Sequence, residues 1–229
     1  MSKVAWIIFG AIIVLVLGGL VVYSRSANPS IDVSSIDANA ITAASEQNGQ
    51  IGDHVLGSPD TKAVIIEYGD FQCPSCGGAH PQVKEIAEEY GDKITFVFRN
   101  FPLTTIHPNA RAAAAAAEAA SLQGKYWEMH DLLFENQSDW ESLTGTARTD
   151  AFVGYASTLG LDKDTFTADI ASSAVSQKIS FDQAIAKKIN VTATPTFYLN
   201  GTKLDETVSN NIVQSDGSEL KKLIDEALK

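Results

Sequence analysis

The only two cysteines of this 229-residue chain stand three apart in Cys73-Pro74-Ser75-Cys76, directly after the apolar run Val64-Ile65-Ile66-Glu67-Tyr68. A disulfide across so short a loop restrains the unfolded chain little, so stapling is a poor reason for the pair and reversible thiol-disulfide exchange is a good one. A structural zinc site usually gathers four Cys or His ligands. Here Cys73, Cys76 and His80 share a helix face, whereas His54, His107 and His130 are scattered without ligand-pair spacing, and no metal is expected. Inert buried thiols would not call for Pro74 at a helix start or for this strand-to-helix junction.

Those residues need a frame that presents them. Pro74 suits the first helical position, where its missing N–H costs nothing, so Cys73 falls at the N-cap. The helix then runs through Val83, Ile86 and Ala87 to about Tyr90, with Gly91 as its stop. At the cap, the Cys73 sulfur faces the free N–H groups of Ser75 and Cys76 and the positive end of the helix dipole, which favours thiolate over thiol. Cys73 is therefore the expected nucleophile. Cys76, one turn inside and more buried, is expected to keep a higher pKa and to resolve a mixed disulfide formed at Cys73.

Around this helix the pattern alternates. Ala63 to Tyr68 and Ile94 to Arg99 read as strands flanking it, a βαβ unit whose crossover makes them parallel. A helical stretch follows: Asn109 to Leu122 with its alanine block, Tyr126 to Asn136, Thr149 to Leu159, Asp162 to Ile170 and Ser173 to Ile189. Thr196 to Leu199 and Thr202 to Asp205, joined by Asn200-Gly201, form a hairpin with a type I′ turn, and Ser218 to Leu228 closes the chain as an amphipathic helix.

Val4 to Tyr23 carries no charge and is long enough to cross a bilayer, so residues 1–25 are expected to be an uncleaved transmembrane anchor; Ser24 and Ser26 also make a form released by cleavage conceivable. Residues 26–50, rich in Ser, Ala, Asn and Asp, are expected to be a flexible linker, and residues 51–229 one domain. A dithiol-disulfide pair with no other cysteine suits an oxidising extracytoplasmic space. The net charge of −11 argues against nucleic-acid binding.

The order of elements resembles the thioredoxin fold of the DsbA family of thiol-disulfide oxidoreductases, an α/β fold with a helical insertion at about residues 105–172, here preceded by one transmembrane helix. The resemblance runs from His54 to Lys229 and rests on Glu67, the stretch Tyr68-Gly69-Asp70-Phe71-Gln72-Cys73-Pro74-Ser75-Cys76, Phe101-Pro102-Leu103 and Thr194-Pro195-Thr196. It is nearest to membrane-anchored or lipid-anchored DsbA-like proteins of Gram-positive and related bacteria. The resemblance implies that Pro195 is a cis-proline beside the redox pair, that Thr194 offers its backbone to an extended substrate peptide, and that Glu67 is a buried carboxyl moving protons to and from Cys76. Pro74 and Ser75 tune the pair; Ser75 in place of the histidine of strong oxidants implies a milder one.

It further implies a disulfide donor to secreted or cell-surface proteins at a bacterial cell membrane, with no cofactor, reoxidised by a membrane partner of the DsbB-like or vitamin-K-epoxide-reductase-like type. A reductase or isomerase using the same pair, or a non-catalytic peptide-binding chaperone, are the alternatives. Elsewhere, His80 reads as solvated helix face as readily as a tuner of Cys76, and His107 and His130 read as structural. Asp70 reads as a turn residue, and Trp127, Phe134 and Trp140 as insertion core.

Overall fold

The computed structural model describes Trp6, Phe9, Gly10, residues 12–19 and residues 31–229. It divides at Asp32 into a unit of residues 1–32 and one of residues 33–229. In the first, residues 12–19 are helical and expose Ile12, Val14, Leu15, Val16 and Leu17. Trp6, Phe9 and Gly10 are helical too, and the other residues of the apolar span Val4 to Tyr23 lie outside the described residues. Among the described residues no helix is long and apolar enough to cross a membrane.

In the second unit, five strands of the described residues form one sheet in the order β1-β3-β2-β4-β5, with β1 at Val55–Gly57, β2 at Ala63–Gly69, β3 at Ile94–Asn100, β4 at Thr196–Leu199 and β5 at Thr202–Lys203. Central β2 is parallel to β3, Glu67 facing Phe98, and antiparallel to β4, Glu67 facing Phe197. Buried on both faces from Ile65 to Gly69, β2 has no room for polar alternation, which explains its run of Val, Ile and Tyr. Helix α1 (Pro74–Tyr90) connects β2 to β3, as the βαβ reading requires. Asn200 and Gly201 both take positive φ, 48° and 79°, as a type I′ turn demands.

Between β3 and the long helix α7 (Ser173–Lys188) come α2 (Ala110–Ser121), α3 (Tyr126–Glu135), α4 (Gln137–Trp140), α5 (Gly145–Thr158) and α6 (Lys163–Ile170); α8 (Glu206–Val213) and α9 (Ser218–Ala227) end the chain. Helix α2 is the hub of the insertion and touches α3, α5, α6 and α7. Its alanines Ala113, Ala116, Ala117, Ala119 and Ala120 are wholly buried, small side chains that let these neighbours approach closely. The thioredoxin-like architecture with a helical insertion is the one expected. Strand β1, helix α4 and helix α8 were not; Thr202–Lys203 is shorter than expected, and α5 starts four residues earlier.

The expected linker differs more. Residues 33–50 lie along the domain: Val33, Ala38 and Asn48 are buried, and Lys188 Nζ donates to the carbonyls of Val33, Ser34 and Ile36 at 3.0, 2.8 and 2.7 Å. Beneath them Arg99, fully buried at the end of β3, donates to the carbonyls of Ala38 and Ala40 and to Asp53 Oδ2 at 2.6 Å. Lys178 Nζ bridges Asp53 Oδ1 and Asp182 Oδ1 at 3.0 and 2.7 Å. Burial alone would push the Asp53 carboxyl up, yet the charges of Lys178 and Arg99 hold it well below the usual carboxylate range. The backbone carbonyls of this segment, from Val33, Ser34, Ile36, Ala38 and Ala40, hold Lys188 and the buried Arg99.

Candidate active site: the Cys73–Cys76 pair

The pair sits where β2 ends. Asp70 closes the turn: its Oδ1 accepts from the Gln72 N–H at 2.8 Å and its backbone carbonyl from the Cys73 N–H at 3.0 Å. Its Oδ2 accepts from the Leu103 N–H at 2.8 Å and pairs with His107 Nδ1 at 2.8 Å. Asp70 thus has the turn role expected, with its carboxylate spent away from the sulfur. Cys73 is the N-cap of α1 with extended backbone, and Pro74 takes the first helical position.

As a thiol, Cys73 makes no capping bond; its Sγ–H donates to the Thr194 carbonyl at 3.4 Å. As a thiolate it is favoured. A hydrogen bond from the Cys76 thiol, aided against burial by the Thr194 hydroxyl and the N–H groups of Cys76 and Ser75, brings Cys73 down from 9.0 to about 5. Cys76 is driven well above its ordinary value, first by burial, then by giving that hydrogen bond and by the charge of Glu67. The two sulfurs are therefore driven apart in acidity, as expected of a nucleophile and a resolving thiol.

Glu67, 4% exposed, is raised from 4.5 to about 8 by burial and by the Cys73 charge. A carboxyl that titrates near neutrality next to Cys76 can hold or release a proton during exchange. Across the site the Thr194-Pro195 bond is cis, and a groove of about 270 Å³ runs past Ser75, Thr194, Pro195, Lys203, Glu206 and Asn210. All seven residues named from sequence, Glu67, Cys73, Pro74, Ser75, Cys76, Thr194 and Pro195, thus stand at or beside one pair of sulfurs.

Two supports escaped the sequence. Gln137, opening α4, donates from Nε2 to the carbonyls of Phe71 and Cys73 at 2.7 and 3.0 Å and so fixes the loop that carries the nucleophile. Gln72 accepts from the Asn109 N–H at 2.6 Å and donates to the Glu141 carbonyl at 2.8 Å, tying that loop to the insertion. Nothing in the spacing of two glutamines signals this, because the partners are backbone N–H and carbonyl groups brought near by the fold. His80 is not solvated: it is buried against Phe134 and His130, and burial lowers it to about 4.

The family model described as thioredoxin matches residues 49–226. A Na(+)/H(+) antiporter NhaA 1 of Salinispora arenicola is 42% identical over 151 residues, 66% of this chain and 22% of the antiporter; the chain thus spans about a fifth of the length of such curated relatives. Among solved structures, a thioredoxin-like oxidoreductase from Silicibacter pomeroyi is 26% identical, with a TM-score of 0.61 over 76% of this chain and 91% of that one. Oxidised BdbD from Bacillus subtilis, 24% identical, superposes with a TM-score of 0.62 over 82% and 97% and shares the fold.

Proposed function

The chain belongs to the thioredoxin family and has a DsbA-like fold, and from that premise we propose that it is a protein thiol-disulfide oxidoreductase that donates the Cys73–Cys76 disulfide to secreted or cell-surface proteins. The observation that carries this reading is the acidity of Cys73: at about 5, its thiolate is a stable leaving group, which favours the reduced enzyme and hence donation.

A substrate thiolate attacks Cys73 Sγ, forming a mixed disulfide and breaking the Cys73–Cys76 bond, and the departing Cys76 sulfur takes up a proton, with Glu67 as the carboxyl placed to deliver it. A second substrate thiolate attacks the substrate sulfur of the mixed disulfide and expels Cys73 as thiolate. The substrate is oxidised by two electrons and the pair is reduced by two. The groove beside Thr194 and Pro195 seats the extended substrate backbone.

Membrane tethering through residues 1–25 belongs to the same proposal. It is supported by the uncharged run from Val4 to Tyr23 and by the helical, outward-facing apolar residues between Ile12 and Leu17. The catalytic domain then lies outside the cytoplasm, where a quinone-linked DsbB-like or vitamin-K-epoxide-reductase-like partner returns the pair to its disulfide form. The antiporter relatives lend no transport activity to this reading, since the matched stretch is a minor part of them.

The test is the equilibrium reduction potential of the pair, measured on the full chain in glutathione buffers. A value well above thioredoxin's roughly −270 mV is expected, on the side of the roughly −120 mV of a strong oxidant. A value at or below thioredoxin's reverses the direction of electron flow and makes the protein a reductase.

A further inference from the structure

We propose that His80, His130 and Asp131 form a binding site for a zinc-class divalent cation, which pins the active-site helix α1 to helix α3 of the insertion. The three side chains come from two helices that sequence spacing does not relate, and one ligating atom from each lies within 4.8 Å of the others. Nε2 of His80 and Nε2 of His130 are buried without a hydrogen-bond partner, although both residues are more than nine-tenths buried. The idle His80 Nε2, 3.7 Å from Asp131 Oδ1, costs stability if nothing is ever bound there. The same aromatic shell buries both rings, with Phe134 against each of them, and their centroids lie 5.4 Å apart.

Asp131 completes the donor set in a particular way. Its Oδ1 faces the imidazoles, 3.7 Å from His80 Nε2 and 3.2 Å from His130 Nδ1, while its Oδ2 is held by Lys84 Nζ at 2.8 Å. One oxygen is therefore available for a cation and the other is oriented by a neighbouring charge, the outer-sphere support that metal-binding carboxylates usually have. Lys84 also pairs with Glu135 at 2.9 Å, so its charge is shared between two carboxylates.

Two imidazoles and one carboxylate suit zinc better than calcium or magnesium, which prefer all-oxygen sets. A fourth position is available to water from the adjoining cavity of about 130 Å³, which Leu56, Phe96 and Trp127 line with the ligands. Bonds of about 2.0–2.2 Å require the widest pair of ligand atoms to close by somewhat over 1 Å, within reach of small side-chain rotations. Neither cysteine is a ligand, so the site is separate from the redox pair although His80 lies one turn along the same helix.

The experiment is a Zn2+ titration of the full chain in detergent micelles, with Cys73 and Cys76 held as their disulfide so that neither sulfur can bind. Competition against a chromophoric chelator reads affinity, and Co2+ substitution reads the ligand type. One equivalent bound with a dissociation constant below about 1 μM is expected, with Co2+ bands of nitrogen and oxygen ligation and a melting temperature raised by Zn2+. His80→Gln and Asp131→Asn should each weaken binding by about tenfold or more and abolish that rise. Binding weaker than micromolar, or unchanged affinity in whichever of these two variants folds, overturns the site.

Discussion

The Cys73 sulfur donates its hydrogen to the carbonyl of Thr194, 121 residues further along the chain, at 3.4 Å. That bond exists only while Cys73 is a thiol. In the Cys73–Cys76 disulfide, the form that meets a reduced substrate, Cys73 has no S–H and the Thr194 carbonyl is open to the N–H groups of a substrate backbone. The acceptor is thus masked only in the fully protonated, reduced pair, below the Cys73 midpoint near pH 5.

Titrating reduced protein by the ultraviolet absorbance of thiolate should give a Cys73 midpoint near pH 5. Because this folded value lies below the ordinary 9.0, the thiolate stabilises the reduced fold fully above about pH 9, and that contribution is lost as pH falls through 5. Cys76→Ala should raise the midpoint most, having removed the largest favourable contact, and Thr194→Val should raise it less. A wild-type midpoint above 8 would sink the oxidase argument.

Glu67→Gln should slow thiol-disulfide exchange by about 10²-fold near neutral pH, the usual scale for a lost proton donor, as read by stopped-flow with a reduced peptide. Stability supplies an independent check. A carboxyl raised to about 8 costs the fold stability progressively as pH climbs from 4.5 to 8. The variant should therefore gain on wild type across that window, by at most ~5 kcal/mol, and lose its advantage below pH 4. Parallel stability curves for the two proteins would show that Glu67 is not held protonated.

Gln137→Ala leaves the carbonyls of Phe71 and Cys73 without their side-chain donor. Urea denaturation should show a loss of about 1–3 kcal/mol, and hydrogen exchange should show faster opening confined to the Phe71–Cys76 loop. Unaltered exchange in that loop would remove Gln137 from the active-site support.

Asp53→Asn leaves Arg99 and Lys178 short of a negative partner in the interior. The expected cost is about 3–5 kcal/mol, with residues 33–50 becoming protease-sensitive before the rest of the domain. Simultaneous cleavage everywhere would mean that the segment is not a separable strap.

The sequence made the catalytic centre readable because its chemistry is local. Cys73, Pro74, Ser75 and Cys76 specify their own cap and helix start, and the apolar β2 run before them specifies a buried strand. What escaped was stabilised at long range. Strand β1 has only three residues and no alternation to read. Helix α8 is built from Thr, Ser and Asn, residues of modest helix propensity that earn their place by packing Val208 and Ile212 inward. The strap before residue 50 is held through its carbonyls, which every residue has and no pattern reveals. His80 and His130 carry no mutual spacing because they lie on different helices.

That strap also fixes the order in which the domain can be completed during its own synthesis. Asp53 and Val33 leave the ribosome 125 and 155 residues before Lys178 and Lys188, the cations they serve. The first part of the domain to be made can therefore meet Arg99 once β3 is made, but completes its contacts only after α7 has emerged. Cys73 and Cys76 can meet a passing oxidant throughout that interval, so the pair can be oxidised before the fold around it is closed.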